Sequence, residues 1–285
     1  MGKIDLEIFE DKFLKKYTAQ YELSILLGVD SLCFAVSDSA SNLLGLRKYS
    51  YAIAPAGFRE LPEAAKEIFL EDPLLRKPFA AIRIAVFHPF VALVPKRLYN
   101  DGEKKAYLEK LISLDKDDRL FSEELPFLQA MAVFPLTAPL LQELGVLAPQ
   151  ASIRHLAACL ARSFAPLYAT EEPRRIFFNL RDGMAQVFAF DKEELVLLNT
   201  YTFFDSNDLA YFLLLICQQL GWPPEATQLF CGGLLVEDSA IFRNLQRFFP
   251  RLTFVSGTGS PYLPGPRFGR ETRKHWFIDL LSIHW

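Results

Sequence analysis

Between Glu22 and Tyr51 the chain alternates apolar runs with short polar breaks: ELSILLGV, LCFAVSD and LLGLRKYSY, separated at Asp30-Ser31 and at Ser39 to Asn42. Short β-rich runs bounded by Asp, Ser, Asn and Gly predict three strands in a meander. A helix follows over about Glu60 to Glu71, where Leu61, Ala64, Ala65, Ile68 and Phe69 share one face and Pro73 ends the element. AIRIAVFH and VALVPKRLY read as strands, with Pro95 closing the second and opening a short helix. Asp101 to Leu114 reads as a charged amphipathic helix, LQAMAVFP as a buried strand, LLQELGVL as a helix, ASIRHL as a short strand and AACLARSFAPLY as a helix.

The pattern restarts after Thr170-Glu171-Glu172-Pro173. RIFFNL, AQVFAF and LVLLNTYTF predict a second three-strand meander, with turns at Arg181-Asp182-Gly183 and at Asp191 to Glu194. Asp205 or Ser206 then caps a helix striped by Leu209, Phe212, Leu213, Ile216 and Leu220, and Gly221 before Pro223-Pro224 stops it. QLFCGG and LTFVS read as strands flanking a helix over Ser239 to Phe249. Residues 257–275 are rich in Gly, Pro and Arg and read as irregular, whereas WFIDLLSIHW is too apolar for a free tail and is expected to dock.

The two meanders overlay without a gap at a constant separation of 152, which sets Asp30 against Asp182, Leu43 against Leu195, Leu46 against Leu198 and Tyr49 against Tyr201. Four identities are near what chance supplies. The shared order of three strands, tight turns and a capped helix carries the weight. It predicts an α/β protein built from two copies of one plan, each a mixed sheet covered by helices. The expected divisions are 1–170, with inserted strand–helix units at about 80–150, then 171–256, then a 257–285 segment with a docked apolar end.

Composition narrows the function classes. The 285 residues are 51% hydrophobic and include 26 Phe, enough for thick cores and incompatible with general disorder. A net charge of −3 disfavours a nucleic-acid or anionic-membrane coat. The charged start MGKIDLEIFEDKF has no apolar signal core, and no apolar run approaches membrane-spanning length. Cys33, Cys159, Cys217 and Cys231 are scattered in apolar runs without metal-ligand spacing. The expectation is a soluble cytoplasmic protein.

ELSILLGVDSLCFAVSD, ALVPKRLY, AVFPLTAPLLQEL, ASIRHL, FNLRDGMAQVFAFDKEELVLLNTYTFFDSNDLAYFLLLICQQLG and FIDLLS together resemble an uncharacterised bacterial family, a domain of unknown function with an actin-like ATPase fold of ribonuclease-H-like topology. The chain is also distantly similar to the actin-like assembly proteins of pilus and type II secretion machines. The resemblance implies two subdomains around a cleft, with an insertion in the first, and a nucleotide between the halves. It places Asp30 and Ser31 in a first phosphate loop, Asn179, Asp182 and Gly183 in a second, and Gly232 and Gly233 against adenosine.

Those loops depart from the superfamily pattern. The first, Gly28-Val29-Asp30-Ser31-Leu32, lacks the following glycine and Thr/Ser pair, and the second keeps one glycine before Met184. Backbone N–H groups reach phosphates only where side chains are small and φ is free, so Leu32 and Met184 oppose that use. Asp30 and Asp182 are isolated as magnesium ligands. The acids Asp30, Asp38 and Asp182 form no ordered nuclease set, and no His is spaced with a Ser or Cys nucleophile. Arg267, Arg270, Arg273 and Lys274 could grip phosphate or an acidic partner. The reading is a non-catalytic interaction or scaffold protein with a protein partner, no cofactor and no metal. The alternative is a divergent ATPase or phosphotransferase that would take Mg-ATP.

Overall fold

The computed structural model describes residues 2–51, 60–167, 171–181, 183–256 and 262–283. The chain opens with strands β1 (Lys3–Phe9), β2 (Glu22–Leu27), β3 (Ser31–Ser37) and β4 (Leu43–Ser50), helix α1 (Leu61–Glu71) and β5 (Ala81–Val86). Next come β6 (Ala92–Pro95), α2 (Lys104–Leu108), β7 (Asp118–Leu125), β8 (Ala130–Thr137), α3 (Ala138–Leu147), β9 (Ser152–His155) and α4 (Leu156–Phe164). The rest comprises β10 (Arg174–Arg181), β11 (Met184–Asp191), β12 (Glu194–Thr202), α5 (Ser206–Leu220), β13 (Gln228–Gly233), α6 (Ala240–Gln246), β14 (Leu252–Phe254), α7 (Pro266–Glu271) and α8 (Ile278–Leu281).

Two sheets repeat one plan. The first runs β1-β4-β3-β2-β5-β9 and the second β12-β11-β10-β13-β14. In both, an antiparallel meander is followed by two strands added in parallel beside its first strand. The extra edge strand β1 pairs antiparallel with β4. A separate antiparallel sheet, β6-β8-β7, is inserted between β5 and β9.

The hairpin registers refine the echo. Leu27 faces Leu32 in the first hairpin and Leu180 faces Ala185 in the second, a separation of 153 rather than 152. The third strands keep 152: Ser37 pairs with Leu43, and Phe190 with Leu195, each just past a register shift. One residue fewer in the second turn before the third strand accounts for the change. The gapless overlay is therefore one residue out over the first two strands, where such a slip turns every side chain to the opposite face. By facing, Asp30 corresponds to Gly183, not to Asp182.

Alternation sorts the side chains into layers. Leu23, Ile25, Leu27, Leu32 and Phe34 pack outward against α1 and α3. Ile176, Phe178, Leu180 and Val187 pack outward against α5 and α6. The inner faces, with Leu26, Cys33, Phe177, Phe188 and Phe230, close on α4 and the C-terminal segment. Helix α4 is buried nearly all round, as a helix sandwiched between two sheets must be. Phe164 stacks on Phe177 and Phe177 on Phe230, with centroids 4.6 and 4.8 Å apart.

Strands β1 and β7 go beyond the sequence reading, both as charged, half-exposed edges. The helix expected over Asp101 to Leu114 is a single turn continued by α2, and only Leu108 is buried there, too little apolar surface to hold a longer element. The stretch taken as irregular contains α7, whose first turn is capped from a distant part of the chain. Among the described residues no helix is long and apolar enough to cross a membrane.

Candidate functional site: the cleft between the sheets

The inner-face ends of β3, β10 and β13 meet around one buried ion pair. Arg181, the last residue of β10, donates through Nε to Asp279 Oδ2 at 2.7 Å. The same guanidinium donates through Nη1 to Ser31 Oγ at 3.1 Å, on the opposite sheet. Asn179, two residues earlier on the same face, donates to Asp279 Oδ2 at 3.4 Å, while its Oδ1 has no partner among the described residues. Asp279 sits in α8 and is fully buried, and its Oδ1 accepts from the N–H of Leu280 at 2.7 Å. One cation thus ties the first sheet, the second sheet and the C-terminal segment together. Burial raises the Cys33 thiol to about 11, opposed by the Arg181 charge, so it is an inert neighbour.

The glycine pair has packing reasons of its own. Gly233 has φ +89°, and a Cβ there would overlap the Leu180 carbonyl oxygen on β10. A Cβ on Gly232 would lie 2.7 Å from Ile278 Cγ2 and 3.4 Å from Asn179 Oδ1. Beside it, His275 Nε2 and Trp276 Nε1 both reach the Leu235 carbonyl, at 2.8 and 3.2 Å. His275 stacks on Phe254 with centroids 3.9 Å apart, and burial lowers its pKa. The segment from Lys274 to Leu281 covers the end of β13.

The structure brings Ser31, Asn179, Gly232 and Gly233 to this cluster. It leaves Asp30 exposed at the first hairpin tip, where its carbonyl accepts from Tyr51 N–H at 3.0 Å. Gly183, at φ +70°, stands in open space on the second hairpin, and Asp182 lies outside the described residues. Leu32 does not project into the cleft, because its parity sends it to the α1 side. Met184 packs partly against the inner core. Arg267 is engaged near β1, donating to the Phe9 carbonyl at 2.9 Å and to Glu271 at 3.3 Å. Arg270 bonds the Pro266 carbonyl at 3.2 Å, while Arg273 and Lys274 are exposed further on. The sequence reading missed Arg181 and Asp279. Their signal was a lone charge ending FFNLR and a lone acid within WFIDLLSI.

A magnesium triphosphate asks for small residues presenting backbone N–H groups and for a carboxylate near the metal. At this position the chain presents a guanidinium already satisfied by Asp279 and Ser31, and the Ile278 side chain against Gly232. Gly28 spends its own N–H on the Ser31 carbonyl at 2.8 Å. These residues do not fit the group. Among the described residues no three or more His, Cys, Asp or Glu side chains are gathered as metal ligands.

Residues 10–252 match the family described as "Protein of unknown function (DUF3822)". No curated protein matches the chain in sequence. A Bacteroides thetaiotaomicron protein of actin-like ATPase fold and unknown function is similar in structure, with a TM-score of 0.78 at 17% identity, covering 85% of this chain and 93% of that one. A chain of the PilM–PilN type IV pilus biogenesis complex is similar with a TM-score of 0.55 at 13% identity, covering 92% and 97%. These likenesses establish the actin-like fold: two subdomains facing across a cleft, with an insertion in the first.

Proposed function

The chain belongs to the DUF3822 family, and on that premise we propose that it is a non-catalytic, actin-like interaction protein whose two halves are locked by its own C-terminal segment. The observation that carries this reading is the Arg181–Asp279 pair, 2.7 Å long and closed off from water, bridging to Ser31 on the opposite sheet. Here the Asp279 carboxylate occupies the Arg181 guanidinium, and the pair, with Ser31, holds the two sheets and the C-terminal segment together.

Two further features support it. The glycines that keep the look of an adenosine site are each explained by a packing neighbour, Leu180 for Gly233 and Ile278 for Gly232. The similar chain in the pilus complex works with a protein partner, and a protein partner is the expectation for this chain.

Titration with Mg-ATP while following the melting temperature tests the reading. A ligand that binds the native state at a hundred times its Kd adds about 2.7 kcal/mol of stability. The expected result is a flat Tm up to millimolar nucleotide. A saturable rise, or phosphate release above background, restores the divergent ATPase.

A further inference from the structure

Among the described residues each of the three sheets has two edges, and five of the six are blunted in ways that discourage pairing. The edge strand β1 alternates Lys3, Asp5 and Glu7 with its apolar residues, and β7 reads DRLFSEEL. Strands β9 and β14 have 4 and 3 residues. Strand β6 has 4 residues and closes on Pro95. Strand β12 is the exception. It runs 9 residues, ELVLLNTYT, with no Lys, Arg or Pro and a single acid at its start. It pairs only with β11 among the described strands, and none of its residues is fully buried.

That open edge faces a groove of about 1210 Å³, whose other wall is the inserted sheet. The volume exceeds the range of roughly 300–1,000 Å³ typical of small-molecule clefts. Both walls carry half-covered apolar side chains: Leu93 and Leu111 on one, Val196 and Leu198 on the other. Val196 is 40% exposed and Leu111 53%. At one end of the edge the chain supplies its own substitute for a partner strand: Asn199 Oδ1 accepts from the Thr200 N–H at 2.8 Å. The rim of the inserted wall is basic. Arg97 and Lys110 are exposed, and neither is tied to a carboxylate among the described residues.

We propose that this groove takes an extended segment of a partner protein, in which apolar residues alternate with acidic ones, added as a strand along β12. The backbone of the segment satisfies the open N–H and C=O groups of the edge. Alternate side chains enter the apolar floor, and the acids between them meet Arg97 and Lys110. The inference rests on the reading of the chain as an interaction protein and names where and what it would hold.

The test is a selection of random decapeptides displayed against the full-length chain, followed by titration of the recovered peptides. Recovered sequences are expected to alternate apolar and acidic residues. Their affinity should fall at least tenfold for R97E/K110E, for Val196→Lys, and for a peptide N-methylated at every second residue. All three changes lie on exposed positions or on the peptide, so folding is preserved, and circular dichroism checks it. Recovery of no peptide, or equal binding by wild type and both variants, overturns the proposal. A wild-type dimer in light scattering that Val196→Lys converts to monomer also overturns it, by assigning the edge to a second copy of the chain. Repeating the titrations with Mg-ATP separates the two readings. A nucleotide-dependent Tm rise alongside intact peptide binding overturns only the non-catalytic reading. A flat Tm with no peptide overturns only the groove.

Discussion

Glu10, just past β1, accepts the backbone N–H of Phe268 with Oε1 at 2.9 Å, across 258 residues of sequence. The same oxygen accepts the Arg267 N–H at 2.9 Å, so one carboxylate from the start of the chain serves the first turn of α7 near its end. Gly265 leaves room for it, since a Cβ there would overlap the Glu10 side chain. The C-terminal segment is thereby fastened at one end to β1 and at the other, through Asp279, to the cleft. Replacing Glu10 with Ala removes a charged cap and should cost about 1–2 kcal/mol. Hydrogen exchange should speed selectively at Phe268 to Leu281. Uniform acceleration across both sheets would show that the fastening is not local.

The ion pair in the cleft gives a sharper expectation. Asp279→Leu strands Arg181 in a nearly dry site, and removing one member of a buried pair costs about 3–5 kcal/mol. Asp279→Leu combined with Arg181→Met removes both charges and should recover most of that loss, a coupling that urea denaturation of the two single variants and the double can measure. If the two single losses simply add, the pair is not acting as a unit.

The legible part of this structure was its periodicity. Both meanders, the capped helix after the second, and the docking of FIDLLS follow from runs and breaks that local chemistry dictates. Asp205, for instance, accepts from the N–H groups of Asn207 and Asp208, and Gly221 ends the helix at φ +65°. What escaped was whatever depends on a distant partner. Strand β1 alternates cleanly but is so charged that it reads as a tail until β4 lies beside it. Helix α7 has only 6 residues and takes its cap from Glu10. The one-residue slip between the meanders is invisible in apolar runs as dense as IFFNL, where either face would do. The cleft residues were half legible: Ser31, Asn179 and the glycines were singled out by resemblance, but the acid and the cation that organise them belong to no motif.

The two glycines with positive φ at the hairpin and strand ends should respond differently to alanine. At Gly183 a Cβ meets open space, so Gly183→Ala carries only the left-handed backbone cost of about 1–2 kcal/mol. At Gly233 the same backbone cost is joined by overlap with the Leu180 carbonyl, which the β10–β13 pairing cannot yield. Gly233→Ala should therefore cost at least about 3 kcal/mol and lower expression as folded protein. Equal losses at the two sites would mean that the strand end is slack and the close approach unimportant.

Stability should fall as solution turns mildly acidic, and His155 should account for much of it. Its ring is fully buried. Its Nδ1 accepts the Ala157 N–H at 3.0 Å, capping α4, and its Nε2 donates to the His88 carbonyl at 2.9 Å. Both ring nitrogens are thus committed in the neutral form, and a second proton would have to displace the cap. Burial pushes its pKa down from 6.5 to about 3, and that of His88 down to about 4. The unfolded chain therefore binds protons below about pH 6.5 that the folded chain refuses. Each such group removes up to about 1.4 kcal/mol per pH unit until its folded pKa is reached. The stabilisation is complete above pH 6.5 and is lost progressively towards pH 3. Between about pH 6.5 and 5, where carboxylates in the unfolded chain are still largely ionised, the slope of unfolding free energy in urea should be set mainly by these histidines. His155→Asn keeps an N-cap oxygen but cannot titrate, so, with His88 and His275 also held down by burial, it should lower the wild-type slope by about a third to a half. An unchanged slope in that variant would move the acid sensitivity elsewhere in the molecule.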